Sequence, residues 1–456
     1  MPVRIIGGTN ARYHLICFDE NGKERREADS SMLSRSMARL ISDPAEKITD
    51  VFFASHGWKG DVPAAIEQYD RWVGEMVRSP DHAAAGSRRP GFNAVVVGLH
   101  WPSLPFGDEE FPAEGGVLSG DDDAGLDRQI EQYAASIADT SAARAAILII
   151  LSAARRDDGE NDSLPQEVRD AYDKLREEAL PNDLNGGNLG APPGADHDEW
   201  DPEAIYRNAR RAEAAASASG EPGLLGGGMF DKLKGFFVAP LQQLSFWKMK
   251  DRARLIGESG GHALLCDLQR AALPTTHFHL MGHSFGCIVV SAAVAGAPVG
   301  PSLVRPVDSL FLVQGALSLW SFCPDIPYAR GEAGYFSRIL ADSFVRGPMV
   351  TTRSKHDSAI GKLYPNAAGA ASQLVLGDDL PKYGGVGTFG AQGLGAIASD
   401  RIMESPTSAY EFENGRVYNL EASATIRNGG GFSGAHSDIA HPEVAHAMWQ
   451  AALTPV

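Results

Sequence analysis

Two kinds of apolar pattern alternate along the chain. Short unbroken apolar runs are separated by longer stretches in which apolar residues recur every three to four positions, and this predicts a sheet with helices on its faces. Residues 93–100 and 309–314 are runs of the first kind, and 48–55, 277–281 and 348–352 read as further strands. Strands this apolar are covered on both faces, as in a mostly parallel sheet. A last strand is expected at 416–420, after the Asn414-Gly415 turn. Helical spacing occupies 30–40, 61–77, a stretch through Trp247, Leu255, Ile256 and Leu264, and the chain after Pro442. At the start, 12–19 alternates around Tyr13, Leu15 and Cys17 before Asn21-Gly22, so the chain is expected to open with two antiparallel strands.

The plan breaks between 104 and 243. No strand pattern of any length occurs there; helical stretches are expected at 126–155, 165–180 and 202–216. A Gly, Pro and Asn-rich passage at 181–194 is the best candidate for disorder. The fold class expected is therefore α/β: a mostly parallel central sheet flanked by helices, built from 1–103 and 244–456, with a large, mostly helical cap inserted at 104–243.

Charge sharpens that division. Of the 456 residues, 58 are Asp or Glu and 41 Lys or Arg, a net charge of −17. The segment 104–243 holds 28 of the acids and 12 of the bases, so nearly all the excess belongs to the cap. An acidic chain of this kind is a poor partner for nucleic acid or an anionic membrane surface. No apolar run approaches the ~20 residues that span a bilayer, and residues 1–8 lack the apolar core of a signal peptide. Cys17, Cys266, Cys287 and Cys323 have no metal-like spacing and sit mostly in apolar stretches, which points to reduced, buried thiols and a cytoplasmic location. His277 and His279 share a strand face without a clustered third ligand, so no metal is expected.

The chemistry concentrates at Gly282-His283-Ser284-Phe285-Gly286, a G-x-S-x-G pattern between an apolar strand and the run Cys287 to Val290 that can continue as a buried helix. A serine on a strained strand-to-helix turn needs small neighbours if its hydroxyl is to stand clear. This stretch resembles the nucleophile elbow of the α/β-hydrolase superfamily. The resemblance covers the sheet domain and not the cap, and it implies Ser284 as nucleophile. It extends to His56-Gly57-Trp58 after the strand at 48–55, where the superfamily often forms half of its oxyanion hole. Carried over, the amides of Trp58 and Phe285 would hold the oxyanion, each contributing about 3 to 4 kcal/mol. His56, Gly57 and His283 would flank the substrate.

The remaining partners follow in the order the superfamily uses, Ser, Asp, His. Asp357 follows the strand at 348–352 and is the expected acid, with Asp325, one strand earlier, as the alternative. His436 lies after the last strand and is the expected base; His441, beside Pro442, and His446, within the terminal helix, are its neighbours. The resemblance implies a cofactor-free serine hydrolase that cleaves carboxylic esters, with a small-molecule or lipid-like acyl ester as substrate. A lyase or perhydrolase on the same fold, or a binding protein with an idle triad, are the alternatives. An apolar stripe of Met229, Phe230, Leu233, Phe236 and Phe237 closes the insertion; it is either core or a roof over the acyl pocket, in which Phe236 and Phe237 would touch substrate.

Overall fold

The computed structural model describes residues 3–57, 62–103, 123–157, 163–179, 200–219, 229–360, 380–381, 384–429 and 434–456, with the backbone alone at 123–124, 136, 212–219 and 229–235. The passage at 181–194 lies outside them. Among the described residues nine strands form one sheet: β1 (Val3–Ile5), β2 (Arg12–Cys17), β3 (Asp50–Ser55), β4 (Ala94–His100), β5 (His277–His283), β6 (Ser309–Val313), β7 (Met349–Arg353), β8 (Ala398–Ile402) and β9 (Val417–Glu421). Their spatial order is β1-β2-β4-β3-β5-β6-β7-β9-β8. Every pair is parallel except β1 with β2.

The unbroken apolar runs are explained by the two layers that cover the sheet. Val51, Phe53, Val97, Phe278, Leu280, Leu310 and Leu312 face one side, where they pack with α1 (Leu33–Ser42), α9 (His262–Ala271) and α10 (Gly286–Ala295). Their alternates Phe52, Ala54, Met281, Phe311 and Val313 face the other, against α2 (Val62–Arg78), α3 (Pro80–Arg88) and the terminal helix Pro442–Ala452. With both faces buried, no polar alternation survives in these strands.

The regular structure among the described residues of 104–243 is helical: α4 (Asp123–Ser136), α5 (Ser141–Arg156), α6 (Gln166–Ala179), α7 (Pro202–Ser219) and the first half of α8 (Met229–Ile256). One long helix was expected over 126–155, but the chain breaks between α4 and α5, where the Thr140 hydroxyl accepts from the Ala143 N–H (3.1 Å) and starts a new helix. Such a cap contributes about 1 kcal/mol. Helix α8 passes through residue 243 without interruption, carrying Pro240 inside it. It packs on α10, and α4 to α8 share one apolar core with the sheet.

One further expectation needs correction, and one strand was not expected at all. The antiparallel pair at the start is β1 with β2, whereas Asn21-Gly22 closes only a single Phe18–Glu24 bridge. The edge strand β8 was missed because its sequence, Ala-Ser-Asp-Arg-Ile, is mostly exposed and carries no buried pattern. Between α8 and α9 the five residues Gly257–Gly261 form a π turn. Its glycines permit close contact, since a Cβ on Gly257 would lie 2.5 Å from the Val289 carbonyl oxygen of α10. Among the described residues no helix is long and apolar enough to cross a membrane. All four cysteines are free; Cys17 is half-buried and the other three are buried.

Candidate active site

Because β2 to β9 run parallel, their C-terminal ends share one edge of the sheet, and the strand order reverses between β3 and β5. A ligand crevice forms at such a reversal. Ser284 leaves β5 at this point with φ of +56°, in the left-handed region that serine rarely adopts. Gly282 and Gly286 do not take that conformation themselves; they supply space. A Cβ on Gly286 would stand 2.2 Å from the Ser55 carbonyl oxygen, and one on Gly282 would stand 2.5 Å from the Gly286 carbonyl oxygen. The glycines thus let α10 seat directly on the ends of β3 and β5, while the strain falls on Ser284. Gly57 fits the same scheme, since a Cβ there would meet the Ser284 Cβ at 2.6 Å.

Two loops bring the other groups to Ser284. Asp357 lies just past β7 and His436 past β9, and the loops are joined by an Asp357–Gly434 antiparallel bridge and by the Ala435 N–H donating to the His356 carbonyl (2.9 Å). His436 Nε2 lies 2.7 Å from Ser284 Oγ, and His436 Nδ1 lies 2.8 Å from Asp357 Oδ2. A carboxylate can only accept, so Nδ1 carries the proton and Nε2 presents its lone pair to the serine hydroxyl. Asp357 is held as well: Gln314 Nε2 donates to the same Oδ2 (2.8 Å) and the Ile360 N–H to Oδ1 (3.0 Å). All three side chains are buried.

Gln314 was not foreseen. It follows β6 with φ of +46°, donates also to the Gly387 carbonyl (3.0 Å), and accepts from the Thr352 hydroxyl (2.8 Å). An amide at the end of the neighbouring strand carries no local signal, so only its position past a buried strand could have drawn attention to it.

The alternatives are elsewhere. Asp325 is exposed and accepts from the Gly331 N–H (2.9 Å). His441 is the N-cap of the terminal helix. His446 lies inside that helix, with Nδ1 2.6 Å from Asp81 and Nε2 2.5 Å from the Ser408 carbonyl oxygen. His277 and His279 do share a face, at the N-terminal end of β5 and so on the opposite edge of the sheet, where they pair with Asp308 and Asp50. Burial lowers the His279 pKa. Burial alone would raise the Asp308 carboxyl, but His277, His279, the Phe278 N–H and Arg346 hold it down at about 2.

Trp58 lies outside the described residues. Phe285 is the N-cap of α10, so its amide sits at that helix's positive end. The rings of His56 and His283 adjoin the site but are fully buried. His56 Nδ1 donates to the Gly57 carbonyl (2.7 Å), and its Nε2 accepts from the Trp101 N–H (3.3 Å). Beneath it the Tyr69 hydroxyl accepts from the His56 N–H (2.9 Å) and donates to the Leu99 carbonyl (2.7 Å). Burial pushes that phenol well above its ordinary pKa, so it stays a donor. Phe236 and Phe237 belong to the continuous core; Phe237 packs on Tyr206 of α7, and its carbonyl accepts from Tyr172 of α6. Phe246, further along α8, brings its ring to 5.0 Å from Phe285.

No family model, curated protein or solved structure matches this chain. Its chemistry must be read from the site. Among the described residues no three His, Cys, Asp or Glu side chains group as metal ligands. What the site offers is a hydroxyl, a base whose lone pair faces it, and a carboxylate that fixes the base.

Proposed function

We propose that the chain is a serine hydrolase of the α/β-hydrolase type that cleaves carboxylic esters. One observation carries this reading: the continuous Ser284, His436, Asp357 hydrogen-bond chain stands on a serine of left-handed φ at the C-terminal end of a central parallel strand. In this scheme His436 Nε2 takes the Ser284 proton as Oγ attacks the acyl carbonyl. The oxyanion rests on the amides of Phe285, at the α10 N-terminus, and Trp58. His436 then gives its proton to the departing alcohol. A water, deprotonated by the same nitrogen, cleaves the acyl-enzyme and frees Ser284. Carboxylic esters are chosen by analogy with this fold type. The acyl substrate is a small molecule or lipid-like ester, and the free cysteines are in keeping with a reducing, cytoplasmic setting.

A fluorophosphonate probe followed by peptide mapping, run beside a panel of p-nitrophenyl acyl esters, tests the proposal. The expected result is a single adduct on Ser284 together with ester turnover. An adduct without turnover would move the chain to non-hydrolytic chemistry at the same serine, and neither signal would leave the triad idle.

A further inference from the structure

The base is held from a second side, by a pair of residues that the mechanism above does not use. His283, the residue before the nucleophile, is fully buried, and its Nε2 lies 3.0 Å from the main-chain oxygen of His436. A carbonyl oxygen can only accept, so His283 Nε2 carries a proton and Nδ1 presents a lone pair. That lone pair faces Gln68 Nε2 of α2 at 2.6 Å. Gln68 is also buried, so neither group has water as an easy substitute partner. The rings of His283 and His436 stand 5.0 Å apart, and a Cβ on Gly57 would come within 3.0 Å of His283 Nδ1. One imidazole thus touches the 56–57 turn, α2 and the base-bearing loop while adjoining the nucleophile in sequence.

Resting on the reading of Ser284 and His436 as a catalytic pair, we infer that His283, with its tautomer set by Gln68, is a positioning residue for the base. Its Nε2–H fixes the His436 main chain at the place from which the imidazole spans Ser284 and Asp357. The Asp357 contact aims the ring, and the His283 contact locates the Cα to which the ring is attached. Without the second contact the base loop can drift relative to the elbow, and a displacement of about 1 Å at a reacting group lowers rate by about 100-fold.

The two nitrogens of an imidazole can be mimicked separately. A glutamine amide nitrogen reaches about as far as Nε2 and can donate in its place, and an asparagine amide oxygen reaches about as far as Nδ1 and can accept in its place. His283→Asn should therefore keep the Gln68 side and lose the His436 side. Its expected phenotype is kcat lower by about 10- to 100-fold, KM within about twofold, and fluorophosphonate labelling slowed in parallel. His283→Gln should recover most of that loss. Gln68→Leu, which leaves the ring but frees its tautomer, should lower kcat in the same direction by a smaller factor. A role confined to packing would move both His283 variants alike and in step with their melting temperatures. Unchanged kcat in His283→Asn, or equal loss in the two His283 variants, would overturn the inference. Should His283→Asn fail to fold, unchanged kcat in Gln68→Leu would overturn it. The far-downfield proton NMR signal of His436 Nδ1–H bonded to Asp357 gives an activity-free check: sharp in the parent and His283→Gln, broadened or lost in His283→Asn. If the parent turns over no ester and takes no label, the hydrolase reading fails while this comparison still decides the positioning role.

Discussion

His436 Nε2 and Ser284 Oγ are 2.7 Å apart across 152 positions of sequence. A pair coupled so directly acts as one unit. Ser284→Ala, His436→Gln and the double variant should each lower kcat by about 10⁴- to 10⁶-fold, with the double no worse than the worse single. Single-turnover assays normalised to folded protein check this. Losses that multiply, or a single variant keeping a tenth of the activity, would show that the two residues work separately.

Asp357→Asn should cost about 10⁴-fold in turnover and Asp325→Asn less than threefold. Asp357 Oδ2 accepts from His436 Nδ1 and Gln314 Nε2 while Oδ1 accepts from the Ile360 N–H, so an asparagine amide nitrogen faces a donor whichever oxygen it replaces. Steady-state kinetics of the two variants side by side decide which aspartate orients the base.

One substitution at two helical glycines should have opposite signs. Gly286→Ala puts a methyl 2.2 Å from the Ser55 carbonyl oxygen, a backbone atom that cannot move aside. It should destabilise by about 3 kcal/mol or more and abolish turnover. Gly86, exposed inside α3, has nothing within 4 Å of an added Cβ. Gly86→Ala should stabilise by about 0.5 to 1 kcal/mol with activity unchanged. Denaturant midpoints measure both.

Asp308 supplies a pH-dependent contribution away from the site. Its folded pKa of about 2 lies below the ordinary carboxylate value, so its contribution is present above the unfolded pKa and is lost as pH falls toward 2. Asp308→Asn should therefore be less stable than the parent by roughly 2 kcal/mol at pH 7, with the gap about halved near pH 3. Urea midpoints at the two pH values test this, and a gap independent of pH would assign the loss to packing.

The strands and the elbow were legible in the sequence because burial on both sheet faces forces long apolar runs, and the Ser284 turn needs Gly282 and Gly286 for space. Asp357 and His436 were legible by position, since both follow strands whose C-terminal ends share one edge. Gln314 and the His283–Gln68 pair were not legible as positioning groups. Gln314 reaches across 43 positions and Gln68 across 215, and no local pattern reports a contact of that range. The break at Thr140 was hidden because the residues on both sides of it keep helical spacing. β8 was hidden because an exposed edge strand needs no apolar alternation.

Helix α8 is gripped at Phe237 by Tyr172 and Tyr206 and reaches the elbow at Phe246. The two places are nine residues apart, about 14 Å along a single helix. What a sequence reader draws as an accessory and a catalytic body therefore have a strut in common. Trimming the chain at residue 243 would saw that strut through, leaving Phe246 three residues from a loose end with its hold on Phe285 undone. For the same reason, Tyr206 packs on the far end of the very helix that carries Phe246 to Phe285.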